Sequence, residues 1–178
     1  MVRVVIAGGP YCGKTTLVKG LQNQGLDIVP EAALRVIQQA QKHGNMTPWD
    51  DRAKFQAEIL RLQTADYHGC NGSVTIFDRG FPDGIAYYWL DGLVPNEALV
   101  QAARTHRYDL ILMPDLLPEY NPGVTRGESL EVRGRVHQLI RRSYEEQGYS
   151  VVSVPVSSKQ ERVAFVKSEI EKLTQSQT

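Results

Sequence analysis

The chain has 178 residues, and its 20 lysines plus arginines balance 20 aspartates plus glutamates; it can bury one core unaided and is too neutral to draw in a polyanion or an anionic membrane. Its cysteines, Cys12 and Cys70, lack C-x-x-C spacing, which excludes a disulfide framework or zinc knuckle and suits a reducing, cytoplasmic setting. No apolar run has the length of a signal-peptide core or a membrane span, so a single domain over 1–178 is expected, with no nucleic-acid or membrane partner.

The first element is "VRVVIA" (2–7), whose β-branched run predicts a strand covered on both faces. It leads into "GGPYCGKTT" (8–16), which fits G-x-x-x-x-G-K-[ST] with Gly8, Gly13, Lys14 and Thr15 in the fixed places. A helix starting near Lys14 follows. Strand, glycine-rich turn and helix in succession make a hollow in which backbone N–H groups and a helix N-terminus attract polyphosphate. The expected nucleotide contacts are Gly8, Gly9, Pro10, Tyr11, Cys12, Gly13, Lys14, Thr15 and Thr16. Lys14 is placed to reach the β and γ phosphates and the Thr15 hydroxyl to ligate Mg²⁺. Cys12 fills a free position. No N-K-x-D guanine-reading tetrad occurs, which makes ATP the default donor.

"LDIV" (26–29) predicts the second strand, and "VPEAALR" after it sets Glu31 behind Pro30 at the start of a helix. Glu31 and Arg35 stand four apart on one face. Glu31 is either a first-turn glutamate favoured by the helix dipole and paired with Arg35, or a general base toward an acceptor hydroxyl, oriented by that arginine. In "TPWD" (47–50) Thr47 and Pro48 mark the next helix, with Phe55, Ile59 and Leu62 on its apolar face.

"SVTIF" (73–77) predicts the third strand, and "DRG" sets Asp78 at its end with Arg79 next. A carboxylate there can hold Mg²⁺, and a guanidinium beside it can stabilise a transferring phosphoryl group; the alternative is a helix-capping aspartate and a solvated arginine. In "FPDGIAYYWLDG" the aromatics Tyr87, Tyr88 and Trp89 read as core packing. Phe81 and Asp83 are expected at the cleft mouth, one stacking on a planar substrate and the other taking ribose hydroxyls.

"YDLILM" (108–113) predicts the fourth strand. The proline- and glycine-rich segment beyond it, about 114–135, is expected to be an arginine-bearing lid. Arg126 is the first choice of catalytic arginine, with Arg133 and Arg135 behind it; the alternative makes Arg133, Arg135, Arg141 and Arg142 a solvated helix face. "YSVVSV" (149–154) predicts the fifth strand, and "SKQE" (158–161) a capping box for a last helix that buries Val163, Val166, Ile170 and Leu173. The tail, about 174–178, is expected to fray. Gly25, Gly69, Gly92 and Gly148 read as left-handed helix stops. Alternating strands and helices predict a three-layer α/β fold around a mostly parallel five-stranded sheet, with ligands beyond the carboxyl ends of its strands.

In this order, "GGPYCGKTTL", "VPEAALR", "IFDRGFPDGIAYY", "YDLIL" and "RRSYEEQGYSVVSVPVSSKQERVAFV" resemble the small AAA-type ATP-binding proteins related to the ribosylnicotinamide kinase domain of the bacterial NAD regulator, and more distantly nucleoside kinases. The resemblance spans nearly the whole chain. It implies a nucleoside-kinase-like P-loop fold with the phosphate strand central in the sheet. It also implies Lys14 and Thr15 on ATP and Mg²⁺, Asp78 near the metal, Arg79 at the phosphoryl group and Glu31 facing the acceptor. The chain departs from that pattern at Asn121, where relatives carry an aspartate. The expected activity is ATP- and Mg²⁺-dependent phosphoryl transfer to a hydroxyl of a small nucleoside-like acceptor. An ATPase or NTP-binding regulator, and a nucleoside monophosphate kinase, are the alternatives.

Overall fold

Five apolar runs pair side by side in the computed structural model, which describes residues 1–42, 52–118 and 130–176. They are Val2–Ile6 (β1), Asp27–Val29 (β2), Val74–Asp78 (β3), Leu110–Pro114 (β4) and Val151–Val154 (β5). All four ladders are parallel, in the order β2-β3-β1-β4-β5, so the strand before the glycine-rich loop is central. Seven helices alternate with the strands among the described residues: Lys14–Gln22 (α1), Ala32–Lys42 (α2), Arg52–Gly69 (α3), Phe81–Leu90 (α4), Glu97–Thr105 (α5), Leu130–Glu146 (α6) and Lys159–Ser176 (α7). The α/β class and parallel sheet expected from the strand-helix alternation are present.

The strands carry apolar residues on both faces because both are covered. Val4 and Ile6 of β1 meet Leu17 and Leu21 of α1 and Val166 and Ile170 of α7. Val5 points the other way, into a core shared with Phe77, Phe81, Ile85, Leu99, Val136 and Ile140. The register pairs Ile6 with Asp78. The carboxyl ends of β1 and β3 therefore lie level, and the loops leaving them face one another.

Local signals set several helix ends. The capping box of α7 is present: Glu161 N–H donates to Ser158 Oγ at 3.3 Å, and Ser158 N–H to Glu161 Oε2 at 2.9 Å. Asn96 caps α5, accepting from Ala98 N–H at 2.8 Å. Gly25, Gly92 and Gly148 have φ of 79°, 68° and 80°. Gly69 does not take the left-handed turn; it is the last residue of α3, and Cys70 N–H still bonds Asp66 O. Toward the chain's end α7 runs through Ser176, with Leu173 packed against the core and Thr174 Oγ1 bonded to Glu171 O; the last two positions of the expected tail, 177 and 178, lie outside the described residues. Thr47 and Pro48 lie outside the described residues. No helix among the described residues is long and apolar enough to cross a membrane.

Candidate active site

The glycine-rich loop leaves the end of β1 through Gly8 at φ 133°, then passes Tyr11 at 61° and Gly13 at 76°. Left-handed residues on either side of Cys12, itself not at positive φ, give the alternation that turns successive N–H groups to one side of a loop. Tyr11 adopts a conformation that costs a non-glycine residue about 1 kcal/mol or more. A Cβ on Gly8 would lie 3.0 Å from Cys12 Sγ, and one on Gly9 3.2 Å from the His137 backbone nitrogen. Gly13 caps α1 without a side-chain acceptor, and the first turn of α1 holds no carboxylate. The N–H groups of that turn, which have no acceptor within the helix, and Thr15 and Thr16, exposed upon it, suit an anion such as a nucleotide phosphate. Among the described residues no group of three or more His, Cys, Asp or Glu is arranged to hold a metal by itself. Mg²⁺ would have to share its shell between protein oxygens and phosphate, as that ion usually does.

Four charged side chains converge where the loops from β1, β2 and β3 meet. Lys14 Nζ lies 2.8 Å from Asp78 Oδ1 and 3.7 Å from Glu31 Oε2. Arg79 Nε lies 3.1 Å from Glu31 Oε1, off the line of a hydrogen bond, which leaves that buried nitrogen unsatisfied. Its Nη1 donates to Gly8 O at 3.0 Å and Asp83 Oδ1 at 3.1 Å. Arg79 holds φ of 76°, a second strained residue at the same place, and such strain gathers at functional sites. Burial alone would raise the Glu31 carboxyl, but the charges of Arg79 and then Lys14 outweigh it and hold it below its ordinary value. Glu31 is therefore an ionised, weakly basic carboxylate.

Other sequence-predicted residues lie elsewhere. Arg35 does not orient Glu31: its Nη1 bonds Asp66 Oδ2 on α3 at 2.6 Å, a partner no helix-spacing rule supplies. Phe81 is not at the cleft mouth. Its ring is fully buried against Tyr67, His106 and Tyr108, because α4 packs along α6 and turns that face inward. Asp83 is 2 % exposed and closes the first turn of α4, accepting from Gly80 N–H at 3.1 Å. It braces Arg79 and offers nothing to a ribose. Arg126 and most of the expected lid, 119–129, lie outside the described residues. Arg133 is buried, Arg135 exposed, and Arg142 pairs with Glu146, so the four arginines do not form one solvated face. Cys12 is buried, and burial raises its thiol pKa, against a redox role. Beside Asp78 and Arg79 a small cavity opens toward Pro30, Gln63 and Asp66. A groove of about 510 Å³ between α1 and α7 lies toward the far end of α1, at Gly20 and Gln24.

The support behind the loop has no signature in the sequence around it. His137 Nδ1 accepts from Gly9 N–H at 3.4 Å, Arg133 Nη2 donates to Tyr11 O at 3.4 Å, and Arg162 Nη2 donates to Cys12 O at 2.7 Å. These partners stand 128, 122 and 150 positions from the loop residues they touch. The one local signal is the capping box at Ser158, which fixes where α7 begins and hence where Arg162 points.

A family model described as an AAA domain matches residues 3–162. The fold is similar to the solved structure of thymidylate kinase from Candida albicans, with a TM-score of 0.66 and 17% sequence identity, over 96% of this chain and 91% of that one. That likeness carries the P-loop kinase fold. A search of curated protein sequences finds no significant match.

Proposed function

We propose, for a chain that belongs to the AAA domain family, that it is a Mg²⁺- and ATP-dependent phosphotransferase acting on a hydroxyl of a small, uncharged, nucleoside-like acceptor. The observation that carries this reading is the meeting of Lys14, Glu31, Asp78 and Arg79 at the carboxyl ends of three adjacent strands, beside the glycine-rich loop. An anion-binding loop alone suits any nucleotide binder; a buried glutamate and arginine facing it supply what an acceptor needs.

Bound Mg-ATP would supply the transferable phosphoryl group and the cation that offsets its charge. Lys14 presents its ammonium at the loop mouth, while the Thr15 hydroxyl and the Asp78 carboxylate offer oxygen ligands to Mg²⁺. Glu31 accepts the hydrogen bond of the acceptor hydroxyl and fixes its direction. A loose transition state asks little base strength of that group, so a carboxyl held below its ordinary value suits the task. Arg79, kept in place by Asp83 and Gly8 O, brings charge to the transferring group.

The charge balance favours a neutral acceptor. Lys14 and Arg79 face Glu31, Asp78 and Asp83, two cations against three carboxylates, and Arg35, one helical turn beyond Glu31, is committed to Asp66. An acceptor phosphate would meet net repulsion there. Incubation with Mg-ATP and a panel of nucleosides and nucleoside monophosphates, followed by mass spectrometry, tests this. A phosphorylated nucleoside is expected. Phosphate release indifferent to every acceptor would replace the reading with an ATPase, and product from monophosphates alone would make it a monophosphate kinase.

A further inference from the structure

A loop that turns its N–H groups inward turns its carbonyls outward, and a buried carbonyl without a donor is costly. Arg162, 5 % exposed, meets that need at Cys12, with Nη2 donating at 2.7 Å. Its Nη1 lies 2.5 Å from where a Cβ on Gly13 would stand, so the tip of the guanidinium rests against the residue that opens α1. Two features hold it there. The Ser158–Glu161 box sets the start of α7, and next to Arg162 the Val163 side chain packs against Gly20 of α1. Arg133, also buried, reaches Tyr11 O from α6 at the longer distance of 3.4 Å.

The Cys12 carbonyl and the Gly13 N–H are opposite ends of one peptide unit. A cationic donor on the oxygen withdraws electron density from the nitrogen and makes the N–H a stronger donor, the usual cooperativity of linked hydrogen bonds. We propose that Arg162 is a positioning residue that acts on a bound polyphosphate through the Cys12–Gly13 peptide: it holds that amide toward the anion and strengthens it, with Arg133 giving weaker support one peptide earlier. Arg162 itself touches no phosphate. The inference rests on the reading of this loop as a triphosphate site.

Calorimetry with Mg-ATP and with inorganic tripolyphosphate, on wild type, Arg162→Met and Arg162→Lys, tests it. The Met variant keeps the apolar stem and loses the donor. It is expected to bind both ligands about tenfold more weakly and to melt at a lower temperature because the Cys12 carbonyl loses its donor, and Arg162→Lys recovers most of both losses. The Gly13 amide proton resonance moves upfield in Arg162→Met and returns in Arg162→Lys, which mere loosening of α7 would not produce. Wild-type affinity in a folded Met variant overturns the proposal. If that variant does not fold, wild type decides: slow rotation of the Arg162 Nη2 group and through-bond coupling to the Cys12 carbonyl are expected, and a freely rotating guanidinium overturns the idea. Failure of wild type to bind either polyphosphate removes the triphosphate site itself, a separate result from a normal Met variant.

Discussion

Tyr144 donates its hydroxyl proton to Asp83 Oδ2 at 2.5 Å, and Gly80 N–H is shared between the two, 3.1 Å from the carboxylate and 3.0 Å from the hydroxyl. With Asp83 Oδ1 on Arg79 Nη1, this triangle ties α6 to the turn that carries Arg79. Burial pushes the Asp83 carboxyl above its ordinary value despite the Arg79 charge, and burial with the Asp83 charge pushes the Tyr144 hydroxyl well above its own. The phenol is therefore a permanent donor.

Removing that donor should be felt in stability before chemistry. Tyr144→Phe is expected to cost about 1–3 kcal/mol in urea unfolding, because a buried carboxylate oxygen loses a partner. Asp83→Asn should cost about 3 kcal/mol or more, since it also leaves Arg79 Nη1 without its carboxylate, and should lower turnover. An Asp83→Asn protein as stable and active as wild type would refute the brace.

Lys14→Ala should weaken Mg-ATP binding about a hundredfold or more, since the loop lysine is the charge that meets the terminal phosphates. Titration calorimetry with far-ultraviolet dichroism as the folding control checks it. Retained micromolar affinity would remove Lys14 from the site.

The acid limb of the stability curve tests Glu31. Its carboxyl lies below the ordinary 4.5 in the fold, so near that pH the unfolded chain binds more protons than the native one. Its stabilisation is complete above pH 4.5 and disappears as pH falls through the lower folded value. Glu31→Gln should flatten this limb; melting curves from neutral to acid pH with the same slope for both proteins would contradict the assignment. His137, held below 6.5 by burial and then by Arg141, acts with the same sign from a higher pH: its contribution is present above 6.5 and lost on acidification.

Two glycines inside helices should respond with opposite signs to the same substitution. Alanine is favoured over glycine in a helix interior by about 1 kcal/mol. Gly134→Ala in α6 meets nothing within 4 Å and should gain stability, whereas a Cβ on Gly20 of α1 would lie 2.6 Å from Val163 Cγ2. Gly20→Ala is expected to lose stability by forcing α1 and α7 apart. Thermal melts of both variants decide it, and a stabilised Gly20→Ala would mean that the contact yields easily.

The strand-loop-helix at 2–22, the Asp78–Arg79 turn, Glu31 behind Pro30 and the capping box of α7 were legible in the chain because each is a local arrangement, set by backbone preference and spacing within a few residues. The parallel α/β class follows from the same alternation of periods. Which of those residues touch was not legible. Arg35 and Phe81 stand as close in sequence to the site as Glu31 and Arg79, yet one turns to Asp66 and the other into the core, because helix packing rather than spacing decides which face of an element meets the cleft. Arg162, Arg133 and His137 reach the loop across more than a hundred residues of chain. A contact of that kind exists only once the sheet has set β1 at its centre and packed the last two helices on either side of it.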